Sequence, residues 1–273
     1  MKIGVCIRAK NEHKIICHWV RHYLNLGFDK IFIYDNMSSP SIEHTLKNNM
    51  FESHLLNHEV IIKIDNTTYA NQVVVYQECI QENQDLDWLL LCDADEFIWL
   101  KEGNMKDFLS NFTNDTCTIF VNWLVYGTSN LKMYDVNQSV FSQFIMREEY
   151  NHFWNRFVKS FVRPNLMGEH SIRNVHKTYN DNYKLCDVYQ NIIIDENLHK
   201  CAYYDKMLNG NTPLVLVHYM TLDFESMLEK RTKNLKQQLG FGKKDNKYTL
   251  EWYNSPKYGF KDTVKDLRML QYS

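Results

Sequence analysis

Five apolar residues, Trp88-Leu89-Leu90-Leu91-Cys92, run without interruption into Asp93-Ala94-Asp95-Glu96. A strand with no polar position is buried on both faces, so other elements must cover it on each side. The preceding segments read as such elements. Lys2–Ile7 is a strand ending in the polar loop Arg8–Glu12. Ile15, Ile16, Trp19, Val20, Tyr23 and Leu24 recur at three- and four-residue spacing, which predicts a helix stopping at Gly27, a natural C-cap. Ile31–Tyr34 and Val60–Ile64 read as further strands, Asp35–Pro40 as a turn, and Ile42–Met50 and Asn71–Gln81 as helices. This alternation predicts an α/β fold built of βαβ units around a mostly parallel sheet flanked by helices.

Ligands of such sheets bind beyond the carboxyl ends of the strands. The polar ends Arg8–Glu12, Asp35–Ser38 and Asp93–Glu96 are therefore expected to meet in one crevice. After about residue 110 the pattern changes. Cys117–Val125, Ser139–Met146, Phe157–Val162, Tyr189–Ile194 and Leu214–Tyr219 read as strands, and Phe224–Gln238 as a basic helix. No repeat or linker divides the chain, so one domain over residues 1–273 is expected.

Bulk properties serve mainly to exclude. A formal charge of -2 gives no electrostatic reason to expect binding to nucleic acid or to an anionic membrane. No apolar run approaches the roughly 18 residues that span a bilayer, and the N-terminus lacks the apolar stretch of a signal peptide. Seven cysteines, scattered and never spaced Cys-x-x-Cys, argue against a disulfide framework or zinc ribbon and for a reducing compartment. A cytoplasmic location without an integral membrane segment is the expectation. The aromatic content of 14% is ordinary core material, but some of those rings would also suit the apolar faces of a sugar.

Asp93 and Asp95 carry the sharpest chemical signal. Two carboxylates one residue apart at the end of a buried strand repel each other unless a cation compensates them. Hard oxygen ligands suit Mg²⁺ or Mn²⁺, which also take phosphate oxygens. A solvated acidic turn is the plainer alternative.

A family resemblance runs in order along the chain. Its pieces are Arg8-Ala9-Lys10-Asn11-Glu12, Trp19–Tyr23 leading to Leu26-Gly27-Phe28, Ile33–Ser39, and Gln72 with Tyr76–Cys79. Asp93-Ala94-Asp95-Glu96-Phe97, Trp123–Ser129, Lys159–Pro164 with His176, and His218-Tyr219 complete it, over about residues 3 to 235. Together these resemble glycosyltransferases of the GT-A fold, especially glycosyltransferase family 92 and its family 2-like relatives. The resemblance implies a metal-dependent hexosyltransferase that moves a sugar from a nucleotide-sugar, favouring UDP, to a glycan, glycolipid or glycoprotein hydroxyl, with inversion. Residues 1–110 would be the nucleotide-sugar-binding half, 111–240 the acceptor side and 241–273 a C-terminal extension.

The resemblance also implies roles. Asp93 and Asp95 would hold Mn²⁺ or Mg²⁺ against the donor diphosphate, with His218 completing the metal site; a core histidine is the alternative for His218. Asp35 would bond the nucleotide base or ribose, unless it only forms the Asp-Asn-Met-Ser turn. Arg8 and Glu12 would frame the nucleotide or form a surface ion pair. Lys159 and Arg163 are offered to the diphosphate or acceptor, or to a solvated strand edge. Trp123 and His176 fall on the acceptor side, and Glu169 is the offered general base, with Asp181 and Asp187 as competitors. The run Lys230, Arg231, Lys233, Lys236, Lys243, Lys244 and Lys247 is either a solvated surface or a basic arm closing over the diphosphate, hinged at Gly240 and Gly242.

Three other readings compete. A haloacid-dehalogenase-type phosphatase also places Asp-x-Asp after a buried strand, but usually after the first strand, and Glu96-Phe97-Ile98 does not follow its pattern. A sugar-nucleotidyltransferase needs a glycine-rich phosphate loop that Gly4 alone does not supply. A decayed glycan- or nucleotide-binding module predicts loss of metal-site residues, whereas Asp93, Asp95 and His218 are all present.

Overall fold

The computed structural model describes residues 1–67, 72–169, 171–194, 208–230, 249–255 and 259–273. Its first half alternates strands and helices: β1 Ile3–Ala9, α1 Ile16–Asn25, β2 Lys30–Asp35, α2 Ile42–Lys47, α3 Glu52–Leu56, β3 Val60–Ile64, α4 Gln72–Glu82 and β4 Trp88–Leu91. β5 Glu96–Leu100, α5 Met105–Ser110, β6 Thr116–Val125, α6 Val140–Gln143, β7 Met146–Arg147 and β8 Val158–Val162 follow. Then come β9 Ile172–Asn174, β10 Lys177–Thr178, β11 Lys184–Asp187, β12 Leu214–His218, a helical segment at 224–230, and β13 Val264–Lys265.

The main sheet has nine strands in the order β3-β2-β1-β4-β8-β6-β12-β5, with β11 also on β6. β1, β2, β3 and β4 are parallel, as are β6 with β11 and β12. β8 is antiparallel to both β4 and β6, and β5 to β12. This mixed, mostly parallel sheet flanked by helices is the GT-A class expected from the sequence.

β4 is buried on both faces, and alternate residues go to different cores. Trp88 and Leu90 pack with Trp19, Val20 and Tyr23 of α1. Leu89 and Leu91 pack with Val75, Tyr76, Cys79 and Ile80 of α4. Period-two alternation makes that split, and each large buried side chain contributes about 1.5–3 kcal/mol. α1 ends where expected: Gly27 takes φ 81°, and Phe28 N–H returns to the Tyr23 carbonyl.

The sheet is curled, and chain connectivity requires it. In a flat sheet β5 would lie four strand spacings from β4, about 19 Å. Five residue steps from Leu91 to Glu96 reach at most about 18 Å fully extended. The turn closed by Glu96 N–H on the Asp93 carbonyl shortens that reach further. The path β4-β8-β6-β12-β5 therefore bends back and returns β5 to the mouth of β4.

Two predicted strands are not where the sequence placed them. The Ser139–Met146 stretch forms α6 and only the start of β7, because Val140, Phe141 and Phe144 follow helical spacing and bury one face. In place of a strand at Tyr189–Ile194, the strand is β11, and Asp187 ends it by accepting the Tyr189 and Asn191 amides on Oδ1. Of the predicted basic helix at Phe224–Gln238, residues 224–230 are helical and the remainder lies outside the described residues.

Candidate active site

The acidic turn is fixed by its own backbone. Asp93 N–H donates to Glu96 Oε2 at 2.9 Å, and Tyr219 N–H donates to the Asp95 carbonyl at 2.9 Å. The β5–β12 ladder sets His218 opposite Glu96, so a histidine 122 positions after Glu96 arrives by strand register. In β8, Ser160 pairs with Leu91, which brings the next residue, Lys159, beside the end of β4.

The two aspartates have different partners. Asp93 accepts Lys159 Nζ at 2.8 Å and Gln72 Nε2 at 2.5 Å. Gln72, at the start of α4, is itself 2.6 Å from the Tyr76 hydroxyl, which bonds the Cys92 carbonyl at 2.7 Å. Asp95 accepts Lys230 Nζ at 2.5 Å and lies 3.4 Å from His218 Nε2. Lys230 also donates to the Met220 carbonyl at 2.9 Å. Glu96 is fully buried, with Oε1 3.8 Å from Lys159 Nζ and 3.9 Å from His218 Nδ1.

Electrostatics sort these groups. Burial opposes ionisation of Asp93, but the Lys159 ammonium outweighs it and holds the carboxyl below the usual range. Burial acts likewise on Asp95, and Lys230 and His218 overcome it, pulling its pKa well down. Burial, reinforced by the charges of Asp93 and Asp95, pushes Glu96 well up. Lys159 resists burial because Asp93 and Glu96 surround it, and its pKa is raised. Burial lowers His218 despite Asp95, favouring neutral imidazole, the form that ligates metals.

Asp95 Oδ1 and His218 Nε2 are spaced as two ligands of one cation at about 2.1 Å each would be. Among the described residues no three His, Cys, Asp or Glu side chains converge on one point, because Asp93 is turned to Lys159 and Gln72. The donor set therefore fits a divalent cation held by two protein ligands, with phosphate oxygens and water supplying the rest.

The other offered residues fall as follows. Asn36 N–H bonds the Ala9 carbonyl, Asn11 N–H donates to Ser38 Oγ and Ser39 N–H donates to Asn11 Oδ1, so the ends of β1 and β2 are knitted together. Asp35 is 1% exposed, and its two oxygens accept the Ser38 and Ile42 amides, so its carboxylate forms the turn. Arg8 pairs with Asp65 at 2.5 Å, a carboxylate at the end of β3 that carries no sequence motif. Glu12 lines a cavity of about 370 Å³ together with Asn11, Lys14, Ser39, Glu229 and Lys230. Lys230 thus joins that cavity to Asp95. Arg163 bonds the Thr116 and Phe112 carbonyls and covers the Trp88 ring at 4.1 Å, which makes it structural.

Trp123 is 5% exposed, with ring centroids 4.3 Å from His218, 5.1 Å from His176 and 5.2 Å from Phe157. His176 Nδ1 meets the Val158 carbonyl at 3.0 Å, and burial, then the Lys159 charge, push its pKa to about 4. Trp123 backs the imidazole of His218, and His176 packs against Trp123 in turn. Glu169 is exposed on the turn after Leu166, and Asp187 is buried in its own turn. Arg231, Lys233, Lys236, Lys243, Lys244, Lys247, Gly240 and Gly242 lie outside the described residues.

Sequence reasoning had assigned no role to Gln72, Glu96 or Asp65. Gln72 and Tyr76 stand one helical turn apart, a spacing that places both on the face toward β4. Glu96 was hidden by its position in the acidic motif, where nothing distinguishes a buried carboxyl from a solvated one.

In this GT-A-class fold the curled, mostly parallel sheet gathers carboxylates, a histidine and lysines at the end of a central strand. The model of glycosyltransferase family 92 matches residues 1–256, and the chain belongs to that family. A glycosyltransferase family 92 protein of Ricinus communis is 22% identical over 96% of this chain, which spans 41% of that relative's length. Among solved structures, GalNAc-T7 with UDP, GalNAc and Mn²⁺ matches 82% of this chain and 45% of its own, at 10% identity and a TM-score of 0.43. A mannosyltransferase of Pyrobaculum calidifontis in complex with GDP-Man and Mn²⁺ matches 68% of this chain and 56% of its own, at 10% identity and a TM-score of 0.39.

Proposed function

We propose that this chain is a divalent-metal-dependent glycosyltransferase that moves a hexose from a nucleotide-sugar, with UDP as the nucleotide, to a hydroxyl of a glycan or glycoconjugate with inversion. The observation that carries this reading is the pairing of Asp95 Oδ1 with His218 Nε2 at 3.4 Å at the mouth of β4, beside the cavity that Glu12 and Lys230 line. Asp95 and His218 would hold the cation, with Asp93, one third exposed, beside them. When bound, the cation absorbs charge as the nucleoside diphosphate leaves. Lys230 and Lys14, both on the cavity wall, face the donor phosphates.

We assign the acceptor proton to Glu169. The Gly168 carbonyl before it meets Gln77 of α4, about 7.5 Å along that helix from Gln72, the residue that bonds Asp93. Proton abstraction by a carboxylate on the acceptor face suits an inverting displacement. Glu169→Gln is expected to lower kcat by about 10²–10⁴ with KM for the donor unchanged. No helix among the described residues is long and apolar enough to cross a membrane.

The decisive experiment measures Mn²⁺-dependent release of nucleoside diphosphate from a panel of sugar nucleotides, with calorimetry of UDP and Mn²⁺ alongside. Release from one donor, lost with EDTA and in Asp95→Ala, supports the reading and identifies that donor. Neither release nor metal-dependent binding for any nucleotide would sink it. One observation favours a second reading, a binding module without turnover: Lys159 and Lys230 already neutralise both aspartates. Metal-independent binding of UDP without turnover would select it.

A further inference from the structure

We propose that Phe153, Trp154 and Phe157 form the platform on which the acceptor stacks, and that the acceptor is an oligosaccharide of two or more sugar residues. The inference deepens the transferase reading above and rests on it for the occupant. β8 is antiparallel to β4, with Ser160 opposite Leu91 and Lys159 on Asp93, so the residues before Val158 leave the sheet on the side of the acidic turn. They are Phe153-Trp154-Asn155-Arg156-Phe157, a 3₁₀ turn and the residue after it. Their rings step outward from the candidate metal ligand. The centroid of Trp123 stands 4.3 Å from that of His218, Phe157 is stacked on Trp123 at 5.2 Å, and Trp154 is stacked on Phe157 at 5.3 Å. Phe153 adds an edge-on ring 5.2 Å from Trp154. Exposure rises along the same line: Trp123 is buried, whereas Phe157, Trp154 and Phe153 are each half-buried.

The rings are not what holds this turn. Asn155, 2% exposed, does so: its Oδ1 accepts Val125 N–H at 2.8 Å, its Nδ2 donates to the Glu149 carbonyl at 2.9 Å, and its own carbonyl accepts Asn122 Nδ2 at 3.1 Å. Phe157 adds only a carbonyl, which accepts Trp123 N–H at 2.9 Å. A turn anchored through amides and backbone does not need aromatic side chains at 153, 154 and 157. Single exposed apolar residues are ordinary, but contiguous aromatic surface running out of a site marks a ligand contact. The chemistry of that surface selects the ligand. A pyranose has an apolar face of C–H groups about the size of a ring, with its hydroxyls at the rim, and the face of an aromatic ring is negative. The polarised C–H groups pack on that face while the hydroxyls stay in water. A peptide strand would want an open sheet edge, and β8 is paired on both sides. Trp154 lies two rings beyond Trp123, so the sugar it meets is a neighbour of the one whose hydroxyl stands at the cation.

The test is an array of neutral mono- to hexasaccharides of hexoses and N-acetylhexosamines, probed with the labelled full chain. Each hit is then titrated by calorimetry, as is UDP with Mn²⁺ on the same samples. The wild type is expected to bind one class of oligosaccharide, with affinity rising from the single sugar to the di- or trisaccharide. Trp154→Ala is expected to weaken the oligosaccharide about 5–30-fold, which removes the gain from chain length, and Trp154→Phe to recover most of that loss. An unchanged oligosaccharide affinity in Trp154→Ala overturns the proposal. Equal loss of glycan and UDP–Mn²⁺ affinity, which is what a disturbed fold gives, overturns it as well. Binding of no member of the array by the wild type also overturns it, and this arm needs no variant. UDP–Mn²⁺ binding in that sample then tells whether the transferase reading falls with the platform or stands without it. Ring-dependent glycan binding without UDP–Mn²⁺ binding supports the platform and removes the transferase reading.

Discussion

Asp93 and Asp95 are two residues apart, and each is neutralised by a lysine, yet the two lysines come from different kinds of structure. Lys159 lies in the middle strand β8, with a side chain that is 0% exposed. Lys230 is the last described residue of the helical segment 224–230, is 19% exposed, and lines a cavity. The carboxylates differ in the opposite sense, 34% exposed for Asp93 and 14% for Asp95, so the contrast belongs to the counterions. A lysine sealed inside the sheet has nowhere to go and acts as a permanent part of the fold. A lysine on a cavity wall can give way to another cation. The turn thus pairs a sealed counterion with one on a cavity wall, and the second stands beside His218.

The comparison breaks most easily at Lys159. Lys159→Met removes the ammonium and leaves Asp93 and buried Glu96 without their common cation. Loss of one partner from a buried pair costs about 3–5 kcal/mol. A urea titration should show a midpoint shift of that size, and Mn²⁺ should not restore it. A near-wild-type midpoint, or full rescue by Mn²⁺, would mean that Lys159 is as replaceable as Lys230.

Acid separates a second buried imidazole from the site. His22 is 3% exposed on α1, bonded through Nε2 to the Ile98 carbonyl at 2.8 Å and ringed by Tyr23, Phe97, Phe141 and Tyr272. Burial drives its pKa down to about 3, with that hydrogen bond only partly opposing the shift. The unfolded chain takes up this proton near pH 6.5 and the folded chain does not until about pH 3, so the contribution is lost as pH falls through that window. By pH 4.5 the loss is about 2–3 kcal/mol. Stability measured from pH 7 to 4.5 in the wild type and in His22→Gln should show the slope reduced by that amount in the variant. Equal slopes would place the acid sensitivity in other imidazoles, His176 and His218, whose pKa values burial also lowers.

How much of this was legible follows from where the information lies. β1 to β4 were readable because a strand buried on both faces must be apolar throughout, as Trp88–Leu91 is. β5 was missed because it opens on Glu96, a carboxyl that only the curled sheet buries. The spacing of Asp93 and Asp95 named the place of the chemistry, but not the pairing of Lys159 with Asp93, since Ser160 opposite Leu91 is a matter of register and not of motif. Asp35 illustrates the converse. Its turn residues advertised a carboxylate at a strand end, and the backbone amides of Ser38 and Ile42 consume it. Side chains that close their own turns and side chains left for ligands look alike in sequence, because the difference is decided by backbone hydrogen bonds.

The smallest expected effect is the most discriminating. Lys230→Met deletes a partly buried ion pair, between the near-zero worth of exposed pairs and the several kcal/mol of sealed ones, so a cost of about 1–2 kcal/mol is expected without metal. If the lysine and a cation compete for Asp95, the same free energy reappears as tighter binding, about 5–30-fold for Mn²⁺ alone. Mn²⁺ should then restore the stability that the substitution removed, which it should not do for Lys159→Met. UDP changes the expected sign. A lysine displaced from Asp95 toward the cavity it already lines would meet the diphosphate, so Lys230→Met should weaken UDP binding in saturating Mn²⁺. Tighter Mn²⁺ with weaker UDP describes a counterion handed from carboxylate to phosphate. Weaker binding of both would make Lys230 a fixed part of the turn, and the contrast with Lys159 would disappear.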